Sequence, residues 1–229
     1  MTALVSFDYG QTLCELDTAL VAARAGERGV LLSAQELERA EPAAWQVYNR
    51  AKREGLAGHD AWIAFMENLL SGAGAGAESL PLTEWLWSEQ PRKNLWRRPI
   101  AGMIELVREL RGKSVPLAIV SNSEGRLMQL LEEVGIANDF DVVIDSGKFD
   151  FEKPDRRMFE LCASALGGAV EELIHIGDAW EADVVGALEA GARAIWFANG
   201  EPRVLPPRVR ACGNAAEVRH ELAGFGVPL

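Results

Sequence analysis

The feature that most constrains this chain is a series of short apolar runs, several of them followed closely by small polar or acidic residues. They are Leu4-Val5-Ser6-Phe7, Leu117-Ala118-Ile119-Val120, Val142-Val143-Ile144, Leu173-Ile174-His175-Ile176 and Ala194-Ile195-Trp196-Phe197. Runs this short and this apolar read as strands buried on both faces. Amphipathic stretches lie between them. Met103, Ile104, Val107 and Leu110 share one helical face, and Leu127, Leu130, Leu131 and Val134 share another, with Gly135 placed to end that helix. Strand and helix in alternation imply right-handed crossovers and a parallel sheet covered on both sides. Residues 1–13 and 97–229 are therefore expected to form an α/β catalytic core, a doubly wound, Rossmann-like parallel sheet. The tail from about Glu201, with Pro202, Pro206 and Pro207, is expected to wrap the sheet edge and end in a helix near Ala215–Leu222.

Residues 14–96 read differently. No strand pattern is evident, and Asp17–Arg28, Ala34–Arg53, Asp60–Leu70 and Leu82–Glu89 have helical character, the second expected to break or kink near Pro42. This predicts a small all-helical domain. Five of the seven tryptophans (Trp45, Trp62, Trp85, Trp87, Trp96) fall in it or at its end, as large aromatics would to fill a small core. Ser71-Gly72-Ala73-Gly74-Ala75-Gly76-Ala77 reads as a flexible connector; no Lys-Ser/Thr follows it, so it is not a P-loop.

Charge and composition narrow the function. The 229 residues carry 23 Lys+Arg against 34 Asp+Glu, a formal net charge of −11, which offers no field for a nucleic-acid backbone. No apolar run is long enough to span a membrane. Met1-Thr2-Ala3-Leu4-Val5 lacks the pattern of a signal peptide. Cys14, Cys162 and Cys212, odd in number and far apart, fit reduced thiols. The expectation is a cytoplasmic protein, monomer or homodimer, with a small-molecule substrate.

In an open parallel sheet, ligands bind beyond the carboxyl ends of the strands. Asp8 follows the first run, Ser121-Asn122 the second, and Gly177-Asp178 the fourth, with Asp183 five residues on; Glu152-Lys153-Pro154-Asp155 opens another helix. Carboxylates, a hydroxyl and a lysine thus converge on one edge. Asp8 and Asp178 are hard oxygen ligands suited to a cation such as Mg²⁺. A carboxylate can also attack phosphorus and form an acyl phosphate that water later cleaves. Ser121, Asn122 and Lys153 could hold the phosphoryl oxygens during transfer.

With these motifs in this order, the sequence resembles the haloacid dehalogenase superfamily of hydrolases. Asp8…Thr12-Leu13 is similar to the nucleophile loop, Ser121-Asn122 to the second motif, Lys153-Pro154-Asp155 to the lysine motif, and His175–Asp183 to the acidic motif. The 14–96 insertion resembles the family's helical cap domain. The resemblance implies that Asp8 is nucleophile and Mg²⁺ ligand. It implies further that the Gly10 carbonyl and Asp178 bind the metal, and that Asp183 is a ligand or braces the metal's waters. Thr12 and Ser121 would then contact the phosphoryl group, and Lys153, preferred over Lys148, would orient Asp8. The implied activity is hydrolysis of a small phosphorylated metabolite through an aspartyl intermediate.

One position departs from the pattern. Family phosphatases usually carry a second aspartate two residues after the nucleophile, as general acid and then base; here it is Gly10, followed by Gln11. Glycine transfers no proton, and such groups contribute roughly 10²–10⁴-fold. Three readings stay open: a phosphohydrolase whose leaving group needs little protonation or whose acid is Tyr9, Gln11, His59 or Glu67; a 2-haloacid dehalogenase or phosphonoacetaldehyde hydrolase-like enzyme acting at carbon, the latter with Lys52 or Lys93; or a phospholigand-binding protein with little turnover. His175 is expected as a hydrogen-bonded core residue, Asp145 and Asp150 as turn-capping or solvated groups, Trp180 as packing or shielding, and Arg97-Arg98 as a solvated hinge.

Overall fold

The computed structural model describes residues 3–56, 58–198 and 203–229. In chain order it contains β1 (Leu4–Phe7), β2 (Cys14–Leu16), α1 (Thr18–Glu27), α2 (Ala34–Arg53), α3 (Gly58–Gly72), α4 (Ser79–Glu89), β3 (Trp96–Pro99), α5 (Met103–Gly112), β4 (Leu117–Ser121) and α6 (Leu127–Val134). It continues through β5 (Val142–Asp145), α7 (Arg156–Ala165), β6 (Leu173–Gly177), a π-helical turn (Trp180–Val185), α8 (Gly186–Ala190), β7 (Arg193–Phe197), β8 (Val209–Cys212) and α9 (Ala215–Gly224). Met1 and Thr2, and the expected start of the tail at Glu201 and Pro202, lie outside the described residues. Residues up to Glu15 and from Trp96 onward form one compact unit, and Leu16–Leu95 form a second.

In the first unit, six strands make a parallel sheet in the order β5-β4-β1-β6-β7-β8. The chain builds outward from β1 to β4 and β5, then returns to the other side of β1 for β6, β7 and β8. The strand order therefore reverses around β1, and the carboxyl ends of β4, β1 and β6 surround the place where such sheets bind ligands. The strand pleat sorts side chains between two cores. Val5, Phe7, Leu117, Ile119, Ile174, Ile176 and Ile195 face one side, under Met103, Val107, Leu110, Leu131 and Leu222 from α5, α6 and α9. Leu4, Ala118, Val120, Leu173, Ala194 and Trp196 face the other, under Met158, Phe159, Cys162, Ala187 and Ala190 from α7 and α8. Gly135 ends α6 in the left-handed conformation, as its position predicts.

The second unit is built of α1 to α4. Ser33 and Glu36 cap α2 reciprocally, each side chain meeting the other's backbone N–H. Four features differ from expectation. The helix α2 runs unbroken through Pro42 for 20 residues; Pro42 and Glu38 are exposed, so the carbonyl that proline frees can meet water. The Gly/Ala segment is a hydrogen-bonded turn with Ala73 and Ala75 buried, Ala75 N donating to Leu70 O (2.9 Å). The edges of the 14–96 segment hold strands after all, β2 and β3 pairing with each other; the charges of β3 hid it, and they are met by Glu133 on Arg97 and Glu15 on Arg98. The tail contributes β8 to the sheet before α9, where only a wrapping segment was expected.

Candidate active site

Asp8 continues the ladder of β1 by one residue, its N–H donating to Ile176 O (2.7 Å), so its side chain starts where the central strand ends. The chain then turns sharply. Tyr9 O accepts from Leu13 N and Cys14 N, and Gln11 takes a left-handed φ of 55°. This winds Thr12 into full burial, and its hydroxyl, like the Gln11 amide nitrogen, has no hydrogen-bond partner among the described residues.

The Lys153 side chain enters this place from the loop before α7. Its ammonium, buried like the rest of the residue, donates to Asp8 Oδ1 at 2.7 Å and to Asp183 Oδ1 at 2.6 Å. Asp183 comes from the π-helical turn, and its Oδ2 accepts from Ala179 N (2.8 Å). Gly177, at the end of β6, makes that approach possible: a Cβ there would lie inside the Asp183 carboxyl group. Asp178 is the third acid. One carboxylate oxygen from each of Asp8, Asp178 and Asp183 falls within 4.8 Å of the other two. Three carboxylates against one ammonium leave a surplus of buried negative charge, and hard oxygen donors at this spacing suit a small divalent cation.

The proton affinities carry the mark of that crowding. Burial, with repulsion from Asp183, holds Asp8 above the usual carboxylate range despite Lys153. Asp178 is pushed well above it, by burial first and then by the charges of Asp183 and Asp8. Burial would raise Asp183 as well, but the Lys153 charge and the His175 hydrogen bond outweigh it and hold this carboxyl well below the ordinary range. Lys153 is raised: burial opposes its charge, and Asp183 and Asp8 overcome that opposition.

The expected residues thus fall into groups. Asp8, Lys153, Asp178 and Asp183 come together. Ser121 is buried at the end of β4, in register with Asp145. Gly10 lies two residues beyond Asp8, where an added Cβ would make ordinary contact with the Trp96 ring at 3.7 Å. Asn122 differs from expectation: its amide grips the main chain of Lys153, Nδ2 donating to Lys153 O and Oδ1 accepting from Lys153 N, both at 2.9 Å. The Tyr9 hydroxyl donates to Trp96 O (2.8 Å), and burial pushes its pKa far up, both of which oppose a role as an acid. Cys14 is a buried free thiol, pushed up to about 11 by burial.

Two residues matter more than their sequence context showed. Asp145 is buried rather than solvated. It accepts from Ser123 Oγ (2.7 Å), Gly125 N (3.1 Å), Leu127 N (2.9 Å) and Gly147 N (3.0 Å), fixing the loops after β4 and β5 to each other. His175 is fully buried and bonded to Asp183 and Ser6. The only sequence signal for either was a polar residue at or inside a strand. Trp180 packs edge-on against Trp196, with the Arg203 guanidinium 4.1 Å above its ring. Lys52, Lys93 and His59 are exposed on the helical unit and Glu67 is half-buried there, with His59 bonded to Asp60 and packed edge-on against Trp87. Among the described residues no helix is long and apolar enough to cross a membrane.

Comparison with known proteins agrees with this fold. A profile of haloacid dehalogenase-like hydrolases matches residues 2–191. Haloacid dehalogenase-like hydrolase domain-containing protein 3 of Bos taurus is 30% identical over 220 residues, covering 90% of this chain and 85% of that one. Phosphoserine phosphatase of Thermus thermophilus is 33% identical over 165 residues, covering 69% of this chain and 64% of that one. In fold, the chain is similar to the HAD-hydrolase YfnB of Bacillus subtilis, solved bound to magnesium, with a TM-score of 0.73 at 21% identity over 96% of this chain and 98% of that one. The chain belongs to the haloacid dehalogenase-like hydrolase family and is a hydrolase.

Proposed function

We propose that the protein is a Mg²⁺-dependent phosphohydrolase acting on a small phosphorylated metabolite, with Asp8 as nucleophile. The observation that carries this reading is the Asp8 carboxylate itself. It is buried at the switch point of the sheet, with Lys153 on one oxygen and two more carboxylates beside it. Asp8 and Asp178, with the Gly10 carbonyl, would hold Mg²⁺. Asp183, both of whose oxygens already accept protein hydrogen bonds, would brace the ion's waters. When bound, the ion would offset the repulsion between an anionic nucleophile and an anionic phosphate.

The chain's own residues do the rest. Lys153 fixes Asp8 and favours its ionised form for attack on phosphorus; the bond to the leaving oxygen breaks, and water then cleaves the aspartyl phosphate to release phosphate and regenerate the carboxylate. The buried, unpartnered Thr12 hydroxyl and Ser121 would bind phosphoryl oxygens. With Gly10 in place of an acid, the favoured substrates are those whose leaving group departs unprotonated, acyl phosphates foremost. Substrate choice is assigned to the helical unit, as the cap domain. Similarity to the phosphoserine phosphatase of Thermus thermophilus supports this reading.

The test is phosphate release from acetyl phosphate, p-nitrophenyl phosphate and sugar phosphates, beside chloride release from 2-chloropropionate, each with Mg²⁺ and with EDTA. Mg²⁺-dependent phosphate release that Asp8→Asn abolishes is expected, with acetyl phosphate preferred. Gly10→Asp, for which the backbone leaves room, should raise sugar phosphate hydrolysis by about 10-fold or more. Chloride release that survives EDTA would make the protein a dehalogenase, and silence on every substrate would leave a phospholigand-binding protein.

A further inference from the structure

The site is wired to a second line of buried polar groups that the chemistry above does not use. Ser6 and His175 are register partners across β1 and β6, both fully buried on the face that packs against α7. Ser6 Oγ lies 2.8 Å from His175 Nδ1, and His175 Nε2 lies 3.2 Å from Asp183 Oδ1. A carboxylate only accepts, so Nε2 carries the ring proton; Nδ1 of the neutral ring is then a lone pair, and the Ser6 hydroxyl donates to it. The Phe159 ring stands edge-on at 5.1 Å and closes the remaining side. The imidazole is thus fixed in orientation and in tautomer.

The consequence lies at Asp183 Oδ1, which receives two donors, His175 Nε2 and the Lys153 ammonium. Lys153 in turn divides its ammonium between Asp183 and Asp8, at nearly equal distances. A donor from His175 satisfies part of the negative charge on Oδ1 and so tempers the pull of Asp183 on Lys153. Without it, the ammonium would move toward Asp183 and loosen its hold on Asp8. We propose that His175, set as the Nε2–H tautomer by Ser6, is a positioning residue that fixes Asp183 and through it keeps the Lys153 ammonium on Asp8. This rests on the phosphohydrolase reading for its kinetic consequence, and on geometry alone for its tautomer.

The experiment uses the full chain with Mg²⁺ and acetyl phosphate. His175→Leu should lower kcat by about 10- to 100-fold with KM within about two-fold, the scale typical of groups that orient a ligand. His175→Gln, whose amide N–H can reach Asp183 from nearly the place of Nε2, should recover most of that loss, and Ser6→Ala should fall between. Long-range ¹H–¹⁵N spectra of the resting wild-type protein should show Nε2 protonated and Nδ1 bare. Equal kcat in His175→Leu and wild type, a Gln variant no better than Leu, or a proton on Nδ1 would each overturn the proposal. Should the wild type release no phosphate, the phosphohydrolase reading fails by itself, while the spectrum still decides the tautomer. The spectrum also needs no variant to fold.

Discussion

Both units bury charge, and they treat it in opposite ways. In the helical unit Arg24 is buried among Glu27, Glu89 and the face of Trp85, whose ring lies 4.3 Å from the guanidinium. One cation meets two carboxylates that themselves reach solvent, so its charge is compensated, although its Nε has no hydrogen-bond partner among the described residues. In the α/β unit three carboxylates crowd around one ammonium, and two of them are driven upward in pKa. Burying an unbalanced charge destabilises a fold. Where a fold tolerates such an imbalance at a ligand-binding edge, the imbalance marks the place where something else supplies the missing charge. The difference between the units is therefore one between charge used as cement and charge kept for a visitor.

The sharpest break of that contrast is Gly177→Ala, which would force the Asp183 carboxyl out of its seat. It is expected to cost about 3 kcal/mol in urea unfolding and to take most of the activity with it. Arg24→Met should cost about 2 kcal/mol by leaving Glu89 without its buried partner, yet leave turnover of acetyl phosphate unchanged; a large fall in kcat would refute the division of labour. Asp178→Asn should do the reverse. Carboxyls whose folded pKa is raised stabilise below the unfolded value near 3.9 and lose that contribution as pH rises through their folded value. Asp183, lowered, contributes the opposite way and in full above about pH 5. As pH rises above that unfolded value the cation-free wild type should thus lose stability on account of Asp8 and Asp178, and Mg²⁺ should restore it. Asp178→Asn should be more stable than wild type without cation at neutral pH and indifferent to Mg²⁺; melting curves at acid and neutral pH with and without Mg²⁺ decide it. Smallest is Ser33→Ala, which removes the reciprocal cap of α2 and should cost about 1 kcal/mol or less with no change in kcat.

The two units also differ in how far the sequence reveals them. The strands β1, β4, β5, β6 and β7 are legible because strands covered on both faces are apolar along most of their length, and the helices because their stripes have a clear period. The strand β8 is short, with Arg210 and Ala211 exposed between buried Val209 and Cys212, and β3 reads Trp-Arg-Arg-Pro, so neither shows an apolar run. Asp8, Lys153, Asp178 and Asp183 are legible because they follow strand ends or open a helix, and the fold gathers such positions. What Asn122 does is not, and of Asp145 and His175 only the turn cap and the hydrogen-bonded core position are, not the partners they hold. Asn122 acts on a main chain 31 residues away, Asp145 on loops either side of it, and His175 on an acid eight residues on, across a turn whose π-helical winding no local pattern announces. In the helical unit four helices could be placed and no chemistry could be read, since its polar groups are mostly solvated and its aromatics pack.

The grip of Asn122 on Lys153 has a bearing on how this site can change. Both of its bonds go to atoms that every residue except proline possesses, the N–H and C=O of position 153. The loop is thus held at a level where side-chain identity is invisible, and the position works as a socket into which different heads can be fitted. Exchange of the lysine for another buried group should alter the chemistry at Asp8 while leaving the path of the loop intact. A scaffold that separates holding from acting in this way can acquire a new reaction by a single replacement, without having to refold around it.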